Sequence, residues 1–255
     1  MKQDQQIIEI FHLLFLKSLE KKIDKSLYSL KGGCNLRFFF KSIRYSEDID
    51  FDVMTIAKDT LRKNINVILK GPSFQKILSS QGIEIANFSE PKQTETTQRW
   101  KLGLIRLDLN RNLYTKIEFS RRKIDEGLIF EPVDNQILQT YHLQPVLCNH
   151  YIKETAFVQK VNALIHRTET QARDIFDIKL LLDCQPDLSK IKTQIELHKL
   201  DLSRAIEHAL SIGYSEFKGQ VVSFLLTEYQ DYYNSEKIWN SILDEVIHIL
   251  EQLQA

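Results

Sequence analysis

The segment Asp48-Ile49-Asp50-Phe51-Asp52-Val53 constrains the fold of this chain most. Side chains on a β-strand alternate between its two faces, so the segment predicts a strand with its apolar residues in a core and its three carboxylates on the other face. Like charges at that spacing repel each other unless a cation, a basic partner or open solvent relieves them. The segment therefore predicts either a cation-binding surface or a solvated acidic edge strand.

A glycine pair lies shortly before this strand. Residues 27–30 predict a short strand and residues 34–41 predict a helix, with Gly32 and Gly33 at the turn between them. Glycine allows the backbone to approach a phosphate closely, and the free amides at the start of a helix favour an anion. An ordinary turn is the alternative. Magnesium is the natural cation, because it takes carboxylate oxygens and leaves positions for substrate phosphates.

The wording of both segments resembles a known group. Lys31-Gly32-Gly33-Cys34-Asn35-Leu36-Arg37 and Arg44-Tyr45-Ser46-Glu47-Asp48-Ile49-Asp50-Phe51 are similar to motifs of the AbiEii/AbiGii toxin family, within the nucleotidyltransferase (polymerase-beta-like) superfamily. Two later segments, Lys160–Arg167 and Arg173–Ile178, extend the resemblance over residues 31 to 178. Cys34 departs from the pattern, because a small hydroxyl residue is more usual there. The departure leaves the backbone of the turn as the predicted phosphate contact.

The resemblance implies a catalytic site in the first half of the chain. Asp48 and Asp50 match the paired carboxylates that hold Mg²⁺ against a nucleoside triphosphate, and Gly32 and Gly33 match the turn that approaches its phosphates. Glu118 stands where the superfamily often keeps a third carboxylate on a neighbouring strand. Read without the rest of the site, Glu118 is more often a solvated acid on the polar face of a half-buried strand.

The resemblance also implies functional residues in the second half of the chain. Lys160 matches the essential lysine of the family and Asp174 its downstream essential acid, so both are expected to be catalytic. Ser46, Arg173 and Asp177 are expected to contact nucleotide phosphate. Without the family, Lys160 is more often an ordinary side chain that lies along a core. Asp174 and Asp177 share one face of a predicted helix, from which they would orient Lys160.

Composition limits the class of protein. The chain has 255 residues, 43% of them hydrophobic and 27% charged, which is typical of a globular protein. Its net charge of zero argues against strong non-specific binding of nucleic acid. The local cluster Arg121-Arg122-Lys123 leaves two possibilities open, a contact to RNA phosphates and a plain solvated surface.

Two further patterns bear on location. The apolar segment Ile7–Leu16 is interrupted by Glu9 and His12, so it predicts an amphipathic helix, not a signal peptide or a membrane span. Three cysteines show neither metal-binding spacing nor an even disulfide set. We therefore expect a protein of the reducing cytoplasm with no membrane partner.

The periodicity predicts an α+β fold. Residues 1–135 are expected to form a nucleotidyltransferase-like catalytic domain, with a mixed sheet and flanking helices. Residues 136–255 are expected to form a helical domain that contributes Lys160 and Asp174 to the site. The predicted strands lie at 27–30, 49–54, 83–87, 99–108 and 113–120, and the predicted helices at 5–22, 34–41, 58–80 with a break at Gly71-Pro72, 153–167, 173–183, 188–198, 203–212, 217–232 and 235–253.

Taken with the resemblance, these features predict a magnesium-dependent nucleotidyltransferase. It would move a nucleoside monophosphate from an NTP to RNA, with a tRNA end as the expected acceptor. The resemblance further implies the toxin of a toxin-antitoxin phage-defence system, with a cognate antitoxin as partner. Two alternatives stay open. One is an NTP-dependent protein kinase or autokinase, with Ser46 as an acceptor, and the other is a non-catalytic nucleotide-binding module.

Overall fold

The computed structural model describes residues 3–122 and 127–255, which form two compact units. The first unit takes the described residues up to Phe39 and those from Tyr45 to Tyr151. The second takes Phe40–Arg44 and Ile152–Ala255. Residues 136–151, which the sequence assigned to the helical domain, lie in the first unit. The predicted domain roles stay predictions.

A mixed sheet forms the centre of the first unit. Its seven described strands run in the order β3-β4-β5-β2-β1-β7-β6. The pairs β2–β5 and β1–β7 are parallel, and the other neighbouring pairs are antiparallel. The strands are β1 (Tyr28–Lys31), β2 (Asp48–Val53), β3 (Ile83–Gln93), β4 (Thr97–Arg106), β5 (Arg111–Arg121), β6 (Leu128–Pro132) and β7 (Leu147–Tyr151). The mixed sheet with flanking helices confirms the predicted fold class.

Helices accompany this sheet. They are α1 (Asp4–Glu20), α2 (Gly32–Phe39), α3 (Lys58–Lys70), α4 (Pro72–Ser80) and α5 (Asn135–Thr140). The predicted break at Gly71 is confirmed, because α3 ends at Lys70 and α4 begins at Pro72. Proline suits the first position of a helix, where its missing amide hydrogen has no partner to lose.

The apolar face of β2 lies in the core of this unit, as its alternation predicts. Ile49, Phe51 and Val53 are at most 1% exposed. The Phe51 ring stacks on Phe119 of the adjacent strand β5, with 4.8 Å between ring centroids, and also contacts Phe15 of α1. The other face of β2 therefore carries its carboxylates.

Four elements of this unit differ from the prediction. Strands β6 and β7 and helix α5 were not predicted, and helix α2 begins at Gly32 instead of residue 34. Strand β7 was missed because polar side chains interrupt its apolar pattern. Asn149 donates to the Lys25 carbonyl at 2.7 Å, and the His150 ring contacts Asn35 Oδ1 at 2.8 Å. These partners are distant in sequence, so no local pattern indicates them.

The second unit is helical where the structure describes it. Its helices are α6 (Lys153–His166), α7 (Ala172–Asp183), α8 (Leu188–His198), α9 (Leu202–Leu210), α10 (Tyr214–Gln220), α11 (Thr227–Tyr233) and α12 (Glu236–Gln254). The single helix predicted at 217–232 is wrong. The chain turns after α10 because the Leu226 amide donates to the Ile43 carbonyl and Leu225 forms a β-bridge with Arg44. No helix in the described ranges is long and apolar enough to cross a membrane.

Candidate active site

The polar face of β2 gathers charged side chains from three strands. The parallel register places Asp50 beside Glu118 and Asp48 beside Lys116 of β5. On the other side of β2, the antiparallel register places Lys31 of β1 beside Asp50. Partners in register share a face of the sheet. The structure thus brings the predicted carboxylates of β2 and Glu118 onto one surface.

Lys116 and Arg99 bind the carboxylates of Asp48 and Glu118 on this face. The Lys116 ammonium lies 3.0 Å from Asp48 Oδ2 and 3.8 Å from Glu118 Oε2. Arg99 of β4 holds Glu118 from the other side, with 2.6 Å between Nε and Oε2. Burial opposes the charge of Lys116, but the carboxylates of Asp50 and Asp48 outweigh it and raise the pKa of Lys116. Neither cation was predicted from the sequence, although Lys116 lies two residues before Glu118 on β5 and therefore shares its face.

Asp50 differs from its neighbours on this face. It is half-buried, and no hydrogen bond or ion pair engages its carboxylate within the described part of the chain. Burial raises the pKa of Asp50, the nearby Lys116 lowers it, and the carboxylate of Asp48 raises it further, so the net shift is upward. The Asp50 carboxylate therefore remains available to an incoming cation.

The glycine turn lies directly against Asp50. Gly32 has a φ of +66°, the left-handed region that glycine adopts without strain. A Cβ atom at this position would lie 3.2 Å from Asp50 Oδ2. Because Gly32 and Gly33 also form the first residues of α2, the predicted phosphate turn and the predicted metal ligand are neighbours.

Asp52 lies on the same face but has a different environment. It is fully buried and accepts a hydrogen bond from the Lys31 ammonium. The Tyr151 hydroxyl donates to its Oδ2 at 2.9 Å, and Arg122 Nε lies 3.2 Å from its Oδ1. Its charge is neutralised within the protein, so Asp52 stabilises the sheet and is not free to bind a ligand.

Two members of the basic cluster at the end of β5, Arg121 and Arg122, contact other residues of the protein. Arg121 donates to the Gln98 side chain at 2.5 Å and to the Ile56 carbonyl, and Arg122 pairs with Asp52. Lys123, the third member of the predicted cluster, lies outside the described residues. A contact between this cluster and RNA stays a prediction.

Side chains also fix the backbone at the start of β2. Cys34 Sγ and Ser46 Oγ both donate to the Asp48 carbonyl, at 3.3 and 2.8 Å. Burial raises the pKa of the Cys34 thiol, so its proton is retained for this bond. Ser46 thus contacts the backbone of the site, and its predicted phosphate contact is untested.

A buried histidine supports the same segment. Thr115 donates to the Glu47 carbonyl at 2.7 Å, and His12 Nε2 lies 2.7 Å from the Thr115 hydroxyl. Since the Thr115 proton is already donated, His12 Nε2 carries the hydrogen. Burial lowers the pKa of His12 to about 3, so the ring is neutral at ordinary pH. No pattern in the sequence indicated His12, because it lies within the apolar run of α1.

Lys160 lies in a separate cluster of charges inside the helical unit. Its ammonium is 2.9 Å from Asp174 Oδ1 and 2.6 Å from Asp177 Oδ2. Arg44 donates to both oxygens of Asp177, at 3.0 and 2.9 Å. Arg167 Nε lies 2.6 Å from Asp174 Oδ2, close enough for an ion pair but without hydrogen-bond geometry. Both aspartates are fully buried.

A comparison with protein-family models identifies the family of this chain. The model of the nucleotidyl transferase AbiEii toxin of type IV toxin-antitoxin systems matches residues 14–234. The chain belongs to the AbiEii family. This AbiEii protein is therefore a nucleotidyltransferase toxin, and membership of a toxin-antitoxin system implies an antitoxin partner. A search of curated proteins finds no match.

Solved structures share the fold of this AbiEii protein. The protein JHP933 from Helicobacter pylori is 17% identical, with a TM-score of 0.59, over 100% of this chain and 96% of the other. MenT4, a nucleotidyltransferase toxin from Mycobacterium tuberculosis, is 14% identical, with a TM-score of 0.62, over 99% of this chain and 94% of the other. At these identities the likeness concerns the fold alone.

The predicted contacts of Lys160 with Asp174 and Asp177 are present in the AbiEii protein. Burial opposes the charge of Asp177, but Arg44 and Lys160 outweigh it and lower the pKa of its carboxyl. Arg173 is half-buried on the same helix. The catalytic and phosphate-binding roles of these residues stay predictions.

A divalent metal fits two of the three predicted ligands. Among the described residues, no group of three or more His, Cys, Asp or Glu side chains is placed to hold a metal ion. Glu118 is engaged by Arg99, whereas Asp48 and Asp50 lie on one face with a lysine ammonium already at Asp48. That ammonium marks a position where the carboxylates stabilise a cation. The chemistry of Asp48 and Asp50 therefore suits a hard metal ion.

Proposed function

We propose that this AbiEii protein transfers a nucleoside monophosphate from an NTP to RNA, with a tRNA end as the acceptor. One observation carries the proposal. The half-buried Asp50 carboxylate lies against the Gly32 turn, where a Cβ atom would approach its Oδ2 to 3.2 Å. A carboxylate beside a glycine turn at the start of a helix suits the binding of a metal ion and a phosphate together.

Asp48 and Asp50 would hold Mg²⁺ in this proposal. A bound magnesium ion supplies positive charge that neutralises the triphosphate as the bond to the leaving group breaks. The backbone amides of Gly32 and Gly33, at the start of α2, would contact the phosphates. The acceptor hydroxyl oxygen bonds to the α-phosphorus, the bond from that phosphorus to the bridging oxygen breaks, and pyrophosphate leaves. The hydroxyl proton passes to a carboxylate of the polar face.

Lys160 and Asp174 enter the proposal through the family motif. Within the helical unit, Asp174 accepts a hydrogen bond from the Lys160 ammonium at 2.9 Å and so fixes its position. We assign the pair a share in activity, and we assign Arg173 to the binding of nucleotide phosphate. Asp177 is fully buried and carries a negative charge, so its part in phosphate binding is to hold the Lys160 ammonium in place. Lys160→Met is expected to lower transfer while Lys190→Met, a change at an exposed lysine of α8, leaves it unaltered.

The biological setting belongs to the same proposal. Modification of tRNA ends would stop translation, which suits the toxin of a phage-defence system in the cytoplasm. The antitoxin would be a separate protein that prevents this modification or its consequences.

The decisive experiment measures label transfer. The protein is incubated with total RNA, Mg²⁺ and each α-³²P-labelled NTP in turn, and labelled species are resolved by size and then sequenced. The test variant is Asp50→Asn, and the matched control is Asp59→Asn, which makes the same change at an exposed position of α3. We expect the wild type and Asp59→Asn to label RNA of tRNA size and Asp50→Asn to lose at least 100-fold in rate.

Parallel reactions with γ-³²P-labelled NTP separate the alternatives. Transfer of the γ-label to protein, lost in Ser46→Ala, would establish a kinase in place of a nucleotidyltransferase acting on RNA. Binding of NTP without transfer of either label would establish a binding module. Transfer of the α-label at an unchanged rate in Asp50→Asn would refute the assigned site.

A further inference from the structure

Lys116 occupies an unusual place among the cations of the polar face. Arg99 binds Glu118, and Lys31 binds the buried Asp52. Lys116 instead binds Asp48, one of the two proposed metal ligands, at 3.0 Å. Among the ion pairs of the described residues, this is the one that places a protein cation directly on the metal-binding pair.

The local charges make this contact consequential. Asp48, Asp50 and Glu118 carry three negative charges, and Lys116 and Arg99 supply two positive ones. Without Lys116 the carboxylates would repel each other across adjacent strands. The ammonium therefore stabilises the sheet when no other cation is present, and the same contact opposes the entry of one.

We propose that Lys116 is an internal counter-ion that a divalent metal must displace from Asp48 before the site is loaded. The inference rests on the proposed metal-dependent function. Two cations cannot occupy one carboxylate oxygen without strong repulsion, so metal binding and the Lys116–Asp48 ion pair compete. Lys116 thereby sets the metal concentration at which the enzyme becomes active.

Removing the Lys116 ammonium is expected to strengthen metal binding. Lys116→Met keeps the length and apolar stem of the side chain but removes its charge. We expect the variant to bind Mn²⁺ more tightly than the wild type, by on the order of tenfold, because a like charge no longer opposes the ion. Damage to the site would have the opposite effect and weaken binding.

The matched control is Lys101→Met. Lys101 of β4 stands opposite Lys116 in the strand register and is exposed, and no ion pair engages it among the described contacts. The Lys101→Met substitution therefore removes the same charge from the same face without changing the contact to Asp48. We expect its affinity for Mn²⁺ to change less than twofold, because exposed charges are screened by solvent and salt.

The measurement is the free Mn²⁺ signal in electron paramagnetic resonance during titration of each protein, in the absence of nucleotide. A second readout is the rise in melting temperature on adding Mn²⁺, which should be larger for Lys116→Met than for the wild type, because the apo variant lacks its counter-ion. Asp50→Asn serves as the reference that lacks a ligand. Tighter binding in Lys116→Met, with Lys101→Met unchanged, supports the inference.

The other outcomes are distinct. In one outcome the wild type binds Mn²⁺, Asp50→Asn does not, and Lys116→Met binds it no more tightly than the wild type. That result would overturn the counter-ion role of Lys116 while leaving the proposed metal site intact. Absence of Mn²⁺ binding by the wild type, or equal binding by Asp50→Asn, would overturn the proposed site itself. The melting curves without metal show whether each variant is folded.

Discussion

Replacing Asp177 with asparagine would remove one negative charge from the buried cluster of the helical unit. Asp177 is fully buried, and its carboxylate receives three hydrogen bonds from Arg44 and an ion pair from Lys160. The asparagine side chain has nearly the same shape but cannot neutralise either cation. The substitution therefore isolates the effect of charge from the effect of packing.

The expected magnitude follows from these contacts. Removing one partner of a buried ion pair typically costs about 3–5 kcal/mol, because the remaining charge is left uncompensated. In the variant, Asp174 still contacts the Lys160 ammonium at 2.9 Å and neutralises part of its charge. The cost should therefore lie at the lower end of this range. We expect a loss of about 3 kcal/mol in the free energy of unfolding. For a chain of this size the melting temperature would fall by about 6–12 °C.

The assay is urea unfolding at pH 7, followed by circular dichroism. The matched control is Asp183→Asn on the same helix α7, where an exposed aspartate pairs with Lys179. An exposed ion pair of this spacing contributes about 0.5 kcal/mol or less. A small change in the control and a large change in Asp177→Asn would locate the effect in the buried cluster.

The pH dependence provides a second check. Because the pKa of Asp177 is lowered from its usual 3.8, the charged carboxylate stabilises the fold above that value, and this stabilisation is lost as the pH falls through the lowered pKa. The difference between wild type and Asp177→Asn should therefore shrink below about pH 4. A loss under 1 kcal/mol at pH 7, or a difference that grows in acid, would refute this account of the cluster.

Three other substitutions or titrations test the first unit. Gly32→Ala is expected to lower the free energy of unfolding by about 1–2 kcal/mol, because φ is +66° at this position. The control Gly219→Ala, with open space around it in α10, should be neutral or stabilising, and equal effects of the two changes in urea unfolding would contradict the strain argument. Thr115→Val should cost about 1–3 kcal/mol because it leaves His12 Nε2 and the Glu47 carbonyl without their partner, and Thr193→Val, at an exposed hydroxyl of α8, serves as its control. The pKa of His12 is lowered to about 3 in the folded state, whereas the same ring in the unfolded state takes up a proton below about pH 6.5. The protein should therefore lose stability as the pH falls from about 6.5 toward 3, and a His12 ring signal that titrates near pH 6.5 in NMR of the folded protein would refute this.

Local patterns were sufficient for most elements. The alternation of Asp48–Val53 determines which side chains enter the core, because successive residues of a strand face opposite ways in any sheet. The break at Gly71-Pro72 is equally local, since proline cannot continue the preceding helix. Strand β7 and the break between α10 and α11 were missed, because both depend on partners distant in sequence, such as the Ile43 carbonyl that binds Leu226.

The candidate site divides in the same way. The sequence by itself determined that Asp48 and Asp50 share a face and that a glycine turn precedes them, and its motifs indicated Lys160 and Asp174. Only the tertiary structure decided which carboxylates are already neutralised. The Asp52 carboxylate accepts hydrogen bonds from Tyr151 and Lys31. Arg99 forms an ion pair with Glu118, and Lys116 forms one with Asp48. These pairings depend on which strands become neighbours and in what register, and the spacing of residues along one strand carries no information about its neighbours.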